Sequence, residues 1–242
     1  MRYMGSKAKI AKDILPIMLE DVENKYFVDL FTGGGNLLQF IDAKNIIAND
    51  INPYTIAFLE RVKNEGVSWL PKNNKEFTEK HYNYVKDNKD KFKKSVLGHV
   101  GYNLSFGGKW FGGWCRGKNS KGNWRDYVDE QYRATIKLYN NMKDKNIQFM
   151  NKSYDEVNIP NNSIIYCDIP YKNTTKYNAV NGFNHDKFYD WCKNMKNGGV
   201  SIYISEYDMP DDFTCIWQKE VRMTLDVKSN SDIRVEKLFT LI

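Results

Sequence analysis

The sequence predicts an α/β fold in which a mostly parallel central sheet alternates with helices and ends in an antiparallel pair of strands. Three observations carry this. Short runs rich in β-branched and aromatic residues recur at 26–31, 46–49, 147–150, 163–168 and 199–204, with helical periodicities between several of them. Two of these runs lead into an acid at a turn, Asp50 before Ile51-Asn52-Pro53 and Asp168 before Ile169-Pro170-Tyr171. The last two runs, 215–225 and 235–241, bracket a polar Ser229-Asn230-Ser231-Asp232 turn and read as a hairpin. Open α/β sheets hold their ligands at the carboxyl ends of strands, so both acids are placed for binding.

Composition sets the limits. With 242 residues, 41% hydrophobic and 14% aromatic, the chain can bury a core for one α/β domain with an insertion, or for two small domains. The net charge of +6 leans weakly towards a polyanionic partner. Cys115, Cys167, Cys192 and Cys215 show no metal-ligand or disulfide spacing, so reduced thiols in a cytoplasmic protein are expected, with no metal. No apolar stretch approaches the roughly 20 residues of a membrane span, and no apolar signal core follows Met1.

In chain order, Tyr3-Met4-Gly5-Ser6-Lys7 precedes a helical pattern with Ile10, Ile14, Ile17 and Met18 on one face. Ser6 is a candidate N-cap, and Pro16 implies a kink or an early end. A small turn here would present Tyr3 and Lys7 to a ligand; an ordinary solvated lysine is the alternative. The strand Tyr26–Phe31, with Asp29 inside it, runs into Thr32-Gly33-Gly34-Gly35-Asn36, and a helix is expected from Leu37. Strand, glycine turn and helix let backbone approach a nucleotide-like ligand closely. The Lys-Ser/Thr pair of a phosphate loop is missing, and Leu38 stands where a dinucleotide fingerprint has a third small residue. A ligand without phosphates fits better. Asp50, at the tip of the second strand, is placed to accept from ribose hydroxyls, and together with the glycine loop it points to an adenosyl ligand such as S-adenosylmethionine.

The character changes between about 66 and 145. From Lys86 to Lys145 there are 14 Lys and Arg against 6 Asp and Glu, so the positive charge of the chain is concentrated there. Within it, Gly101–Lys118 interleaves paired glycines with aromatic rings and ends in basic residues. Lys109, Arg116, Lys118, Lys121 and Arg125 suit backbone phosphates, and the rings suit stacking on or wedging between bases. A small aromatic-packed subdomain with a solvated basic surface is the alternative.

Ile147–Met150 reads as a third strand, with Tyr154 at its tip as a base-lining ring. Ser163–Asp168 reads as a buried central strand that Pro170 ends. Pro170 fixes its own φ and biases Ile169 away from helix, so the turn is stiff. It presents the Asp168 carboxylate, the Ile169 carbonyl and the Tyr171 ring together, a set suited to an exocyclic amine on a flat heterocycle. Residues 172–178 form a polar loop able to close over a substrate. Asn184 is a candidate cap for the helix around Phe188–Cys192, and His185 shows no acid–base partner in the sequence.

In this order the motifs resemble those of the Dam-type (D12 class) DNA adenine-N6 methyltransferases, over nearly the whole chain. Tyr3-x-Gly5-Ser6-Lys7 resembles the N-terminal cofactor motif, Phe31-x-Gly33-x-Gly35 the glycine loop, Asp50 the ribose acid, and Asp168–Tyr171 the catalytic turn. The family pattern there is Asp-Pro-Pro-Tyr; Ile169 replaces the first proline, keeping the carbonyl and losing some rigidity. The resemblance implies a class I methyltransferase Rossmann-like mixed sheet with an antiparallel C-terminal hairpin. Residues 1–65 and 146–242 would form the S-adenosylmethionine-binding catalytic domain and 66–145 an inserted target-recognition subdomain. It implies cofactor contacts from Tyr3, Lys7, Asp29, Phe31, Gly33, Gly35, Asp50 and Asp168, and catalysis at Asp168, Ile169, Pro170 and Tyr171, with Tyr171 stacking on a flipped adenine. The implied partner is double-stranded DNA, in a bacterial or phage-infected cell, within a restriction-modification setting or a phage, and with a monomer favoured. Cytosine-N4 or RNA adenine methylation, and a catalytically silent DNA-binding protein, are the alternatives.

Overall fold

The computed structural model describes residues 1–3, 5–20, 22–23, 25–172, 182–222 and 233–241. Among these residues seven strands form one sheet in the order β3-β2-β1-β4-β5-β7-β6. They are β1 (Tyr26–Asp29), β2 (Asn45–Asn49), β3 (Ile147–Met150), β4 (Ser163–Asp168), β5 (Ser201–Ser205), β6 (Phe213–Arg222) and β7 (Ile233–Leu241). The first five are parallel to one another; β7 runs antiparallel between β5 and β6, and a register shift lies between Cys215 and Trp217 on β6. This is the mixed sheet of a class I methyltransferase fold, as the motifs implied. Leu225 and the turn at 229–232 lie outside the described residues, as does the polar loop beyond Lys172.

Among the described residues six α-helices accompany the sheet: α1 (Ala11–Met18), α2 (Pro53–Glu65), α3 (Glu79–Asp87), α4 (Lys94–Gly98), α5 (Tyr127–Met142) and α6 (His185–Asn197). Side chains alternate across a strand, so each central strand supplies two cores. Phe27, Ile164 and Tyr166 join α1, α2 and α5 on one face, while Val28, Ile165 and Cys167 join α6 on the other. β4 is buried from Ser163 to Cys167, as expected of the strand at the centre of a doubly covered sheet. Pro16 lies within α1, which ends two residues later at Met18. Asn52 caps α2 through Oδ1, which accepts from the Tyr54 N–H, and Asn184 caps α6 by accepting from Lys187. No helix among the described residues is long and apolar enough to cross a membrane.

One expected element is missing: no helix follows the glycine loop. Residues 37–44 remain between that loop and β2, and a helix returning along a five-residue strand needs about ten residues at 1.5 Å each. Instead Leu37, Leu38 and Ile41 are buried in a compact turn. The Lys145 ammonium holds it, donating to the carbonyls of Leu38, Gln39 and Ile41 at 3.1, 3.3 and 2.6 Å.

The segment 66–145 has a core of its own, Tyr82, Val85, Leu97, Val100, Leu104, Phe111 and Val128. Its two ends belong to the main body: Leu70, Leu138 and Met142 are buried in the core around α2. Gly98 is where α4 crosses α2, since a Cβ there would stand 2.2 Å from the Tyr54 carbonyl oxygen.

Candidate active site

β1 and β4 are neighbours, while β2 continues from β1 on the opposite side. The strand order therefore reverses between β1 and β4, and a crevice opens beyond their carboxyl ends. Asp29 and Asp168 are the last residues of these two strands, and Asp50 follows β2. All three line one cavity of about 380 Å³, a size suited to a nucleoside-sized ligand.

The glycine loop is shaped by the chain's first residues. Tyr3 lies across it, so that a Cβ on Gly34 would meet the Tyr3 Cβ at 2.6 Å and one on Gly33 would meet the ring at 3.0 Å. Gly33 and Gly35 also adopt φ of +51° and +65°, which favours glycine. The loop is tied to β2: the Gly33 N–H donates to Asp50 Oδ2 at 2.7 Å, and the Asn52 N–H to Oδ1 at 2.8 Å. Each oxygen of Asp50 so takes one backbone donor and keeps a lone pair for a hydroxyl. Burial raises the Asp50 pKa, opposed by these two hydrogen bonds.

Burial also holds the Asp29 carboxyl well above the usual carboxylate range, and the charges of Asp168 and Asp50 add to it. Asp168 is raised by burial too, and the facing Lys7 opposes that rise. Lys7 Nζ stands 3.0 Å from Asp168 Oδ1 and 3.5 Å from Glu236 Oε2, with the lysine 9% exposed. It is a buried, paired cation, not a solvated surface lysine. Three carboxylates around one cavity favour a ligand carrying positive charge, and a sulfonium with an α-amino group is one.

The Asp-x-Pro-Tyr turn is held from two sides. His185 donates through Nε2 to the Pro170 carbonyl at 2.9 Å, so this histidine has a partner in the site that the sequence did not reveal. Glu206, 1% exposed, accepts from the N–H of Lys172 at 3.0 Å and of Tyr207 at 2.7 Å. Burial pushes the Glu206 carboxyl up to about 7.

Tyr3, Lys7, Asp29, Phe31, Gly33, Asp50, Asp168 and Pro170 all line the cavity, and Tyr154 joins Phe31 at one end with ring centroids 5.8 Å apart. Gly35, Ile169 and Tyr171 are not in its wall. Gly35 leaves room for Leu59 of α2, whose Cδ2 would stand 2.6 Å from a Cβ there. Ile169 is 2% exposed and packs in the core beside α6. The Tyr171 ring has the Lys7 ammonium over it at 4.6 Å and the Tyr207 ring edge-on at 4.5 Å. Its hydroxyl donates to Glu236.

Lys109, Arg116, Lys118, Lys121 and Arg125 are all exposed on the inserted segment. Arg116 is paired with Glu79 at 2.8 Å, Arg125 with Glu130, and Lys118 lies over the Trp124 ring at 5.1 Å. The expectation for the interleaved rings needs correction. Tyr102, Trp110, Phe111 and Trp114 pack inward, Trp110 stacking on Tyr54 at 4.4 Å, because the paired glycines let the chain fold back over them. Phe106 faces solvent at 61% exposed, as do Trp124, just beyond that stretch, at 70% and Tyr84 of α3 at 54%.

Sequence reasoning missed Glu236, Glu206 and Asn49. The Asn49 amide donates to the carbonyls of Leu30 and Lys152, stitching the ends of three strands. A polar residue closing an apolar strand was the available signal. For Glu236 the signal was a charge two residues before Leu238, which is fully buried, on the same face of β7.

A switch-point cavity with a glycine loop, an acid at each strand tip and an Asp-x-Pro-Tyr turn is the ligand-binding arrangement of an open α/β sheet. A family model for D12 class N6 adenine-specific DNA methyltransferases matches residues 3–208, and the chain belongs to that family. It is 28% identical over 249 residues to type II methyltransferase M.FokI of Planomicrobium okeanokoites, covering 91% of this chain and 38% of that protein. It is 26% identical over 231 residues to modification methylase StsI of Streptococcus sanguinis, covering 86% and 33%. The DNA adenine methylase of Vibrio cholerae is 27% identical over 232 residues, covering 86% and 80%. The chain thus spans little more than a third of the first two relatives and most of the third.

Proposed function

We propose that this chain transfers a methyl group from S-adenosylmethionine to the N6 amine of an adenine flipped out of double-stranded DNA. The observation that carries it is the meeting of Asp168, Asp29, Asp50 and the glycine loop around one cavity at the sheet's switch point. When bound, the cofactor supplies an electrophilic methyl on a sulfonium. Asp50 is placed to accept from the ribose hydroxyls, and Asp29 and Phe31 from the same wall contribute charge and a ring face. Asp168 and the Ile169 carbonyl accept from the adenine amine, whose lone pair is otherwise delocalised into the ring. Held so, the nitrogen is oriented towards the methyl; its N–C bond forms as the S–C bond breaks, and its surplus proton leaves through Asp168. Orientation and fixed charges supply the acceleration, with no covalent enzyme intermediate.

Residues 1–65 and 146–242 act as the catalytic domain and 66–145 as the target-recognition region, with Arg116, Lys118 and their neighbours on DNA phosphates. The outward rings Phe106 and Trp124 would meet bases from that region, and Tyr171 would stack on the flipped adenine. The test is methyl transfer from labelled S-adenosylmethionine into unmodified DNA, with nucleoside analysis of the product. Deoxy-N6-methyladenosine is expected, and Asp168→Ala should abolish transfer while most DNA affinity survives. N4-methylcytosine as product, or unchanged turnover in Asp168→Ala, would overturn the reading.

A further inference from the structure

We propose that Glu236 is a positioning residue of this site, the second carboxylate to which Lys7 passes when the target amine takes Asp168. The inference rests on the function proposed above. Glu236 lies on β7, outside the span matched by the family model, and its side chain turns inward beside buried Leu238. Its Oε2 receives two donors at once, the Lys7 ammonium at 3.5 Å and the Tyr171 hydroxyl at 3.1 Å. Lys7 also lies over the Tyr171 ring, so lysine, tyrosine and the two carboxylates are joined behind the Asp-x-Pro-Tyr turn. Two residues earlier on β7, Arg234 donates to the Tyr207 hydroxyl at 3.1 Å, and the Tyr207 ring abuts Tyr171. One face of the C-terminal hairpin thereby backs the Asp-x-Pro-Tyr turn.

The geometry poses a competition. Asp168 must accept from the adenine amine, yet Oδ1 already takes the Lys7 ammonium. A lysine left fully on Asp168 draws electron density from the carboxylate that has to hold and orient the nitrogen. Glu236 resolves this because the ammonium already stands within 3.5 Å of it, so a small rotation of a flexible side chain moves the charge from one carboxylate to the other. The lysine then stays paired, which a buried ammonium requires. Tyr171, fixed by the same oxygen, keeps the turn's backbone still during the exchange.

The test is Glu236→Gln, which keeps the shape and removes the charge. Expected are a kcat at least tenfold lower, a KM for S-adenosylmethionine within about twofold of the parent, and a partial return of kcat in Glu236→Asp. The groups facing Asp168 are Lys7, Glu236, Asp29, Asp50, Glu206 and the hydroxyls of Tyr166 and Tyr171. Removing one negative charge from this set eases the ionisation of Asp168, so the acid limb of kcat should move to lower pH. A second expected result is that Lys7→Met with Glu236→Gln is no slower than Lys7→Met alone, because the glutamate acts through the lysine. Parental kcat with an unmoved acid limb in Glu236→Gln would overturn the proposal, as would a loss that tracks the folded fraction seen in thermal melting. A parent protein that fails to methylate DNA would instead overturn the function itself, so the two failures are distinguishable.

Discussion

The Lys7 ammonium stands 3.0 Å from Oδ1 of Asp168, joining the chain's first turn to the end of β4. This pair decides how a carboxylate that burial pushes towards its neutral form is still available to accept a hydrogen bond. Lys7→Met removes the opposing charge, so the Asp168 pKa rises further. The acid limb of kcat should move to higher pH, opposite to Glu236→Gln. Turnover at neutral pH should fall by about two orders of magnitude, or ~3 kcal/mol in the barrier. A kcat–pH profile checks both, and an unmoved limb would separate Lys7 from the chemistry of Asp168.

The glycines of the loop divide by what their missing Cβ atoms would meet. On Gly34 a Cβ would stand 2.6 Å from the Cβ of Tyr3, which sits on a short side-chain stem and cannot yield without moving the N-terminal segment. Gly34→Ala should therefore weaken S-adenosylmethionine binding about tenfold or more, with a modest loss of stability. On Gly35 the neighbour is the tip of Leu59, but φ is +65°, so Gly35→Ala should lower stability by about 1–2 kcal/mol and affect the cofactor less. Calorimetric titration and thermal melting of both variants read the two effects apart.

The legibility of this fold followed the period of its side chains. The strands Ile147–Met150 and Ser163–Asp168 have the bounds their runs implied, the first as a partly covered edge strand and the second as a buried central one. The helix expected from Leu37 failed because apolar spacing says which residues are buried and nothing of how far the chain must travel. Asp50, Asp168 and the glycine loop were legible since turn chemistry marks strand ends. Their partners were not: Lys7 with Glu236, and His185 with Pro170, meet only through the sheet's strand order. The ring-rich stretch was legible as unusual, but which rings face inward depends on the paired glycines and on Tyr54 of α2.

The exposed insert makes separable claims for charge and for stacking. Arg116→Gln with Lys118→Gln removes two cations, and the slope of log affinity for DNA against log salt should become shallower by about one to two. The pairing of Arg116 with Glu79 at 2.8 Å places the result at the lower end. Trp124→Ala should instead weaken binding by about 1 kcal/mol at every salt concentration and leave the slope alone, as expected of a ring that stacks. Fluorescence anisotropy across a salt series distinguishes them; an unaltered slope in the double variant would make this surface merely a solvated one.

Asp29 sets stability against binding. Its carboxyl is 2% exposed, and burial with the neighbouring charges of Asp168 and Asp50 raises its folded-state pKa well above that of the unfolded chain. The folded state therefore holds a proton that the unfolded state releases, so this group favours folding at acidic pH. That contribution fades as pH rises from the unfolded value, about 3.9, towards the folded one. Asp29→Asn removes the penalty and should raise the melting temperature at pH 7 by several degrees, since ~1 kcal/mol is worth about 2–4 °C in a chain of this size. The gain should shrink towards pH 4, where the parent carboxyl is protonated. A bound cationic cofactor favours the ionised form of this carboxyl, which an amide cannot supply, so affinity for S-adenosylmethionine should drop about tenfold. Melting curves at pH 4 and 7, with and without S-adenosylmethionine, measure both; a variant less stable than the parent at pH 7 would show that Asp29 is held by contacts stronger than the repulsion around it.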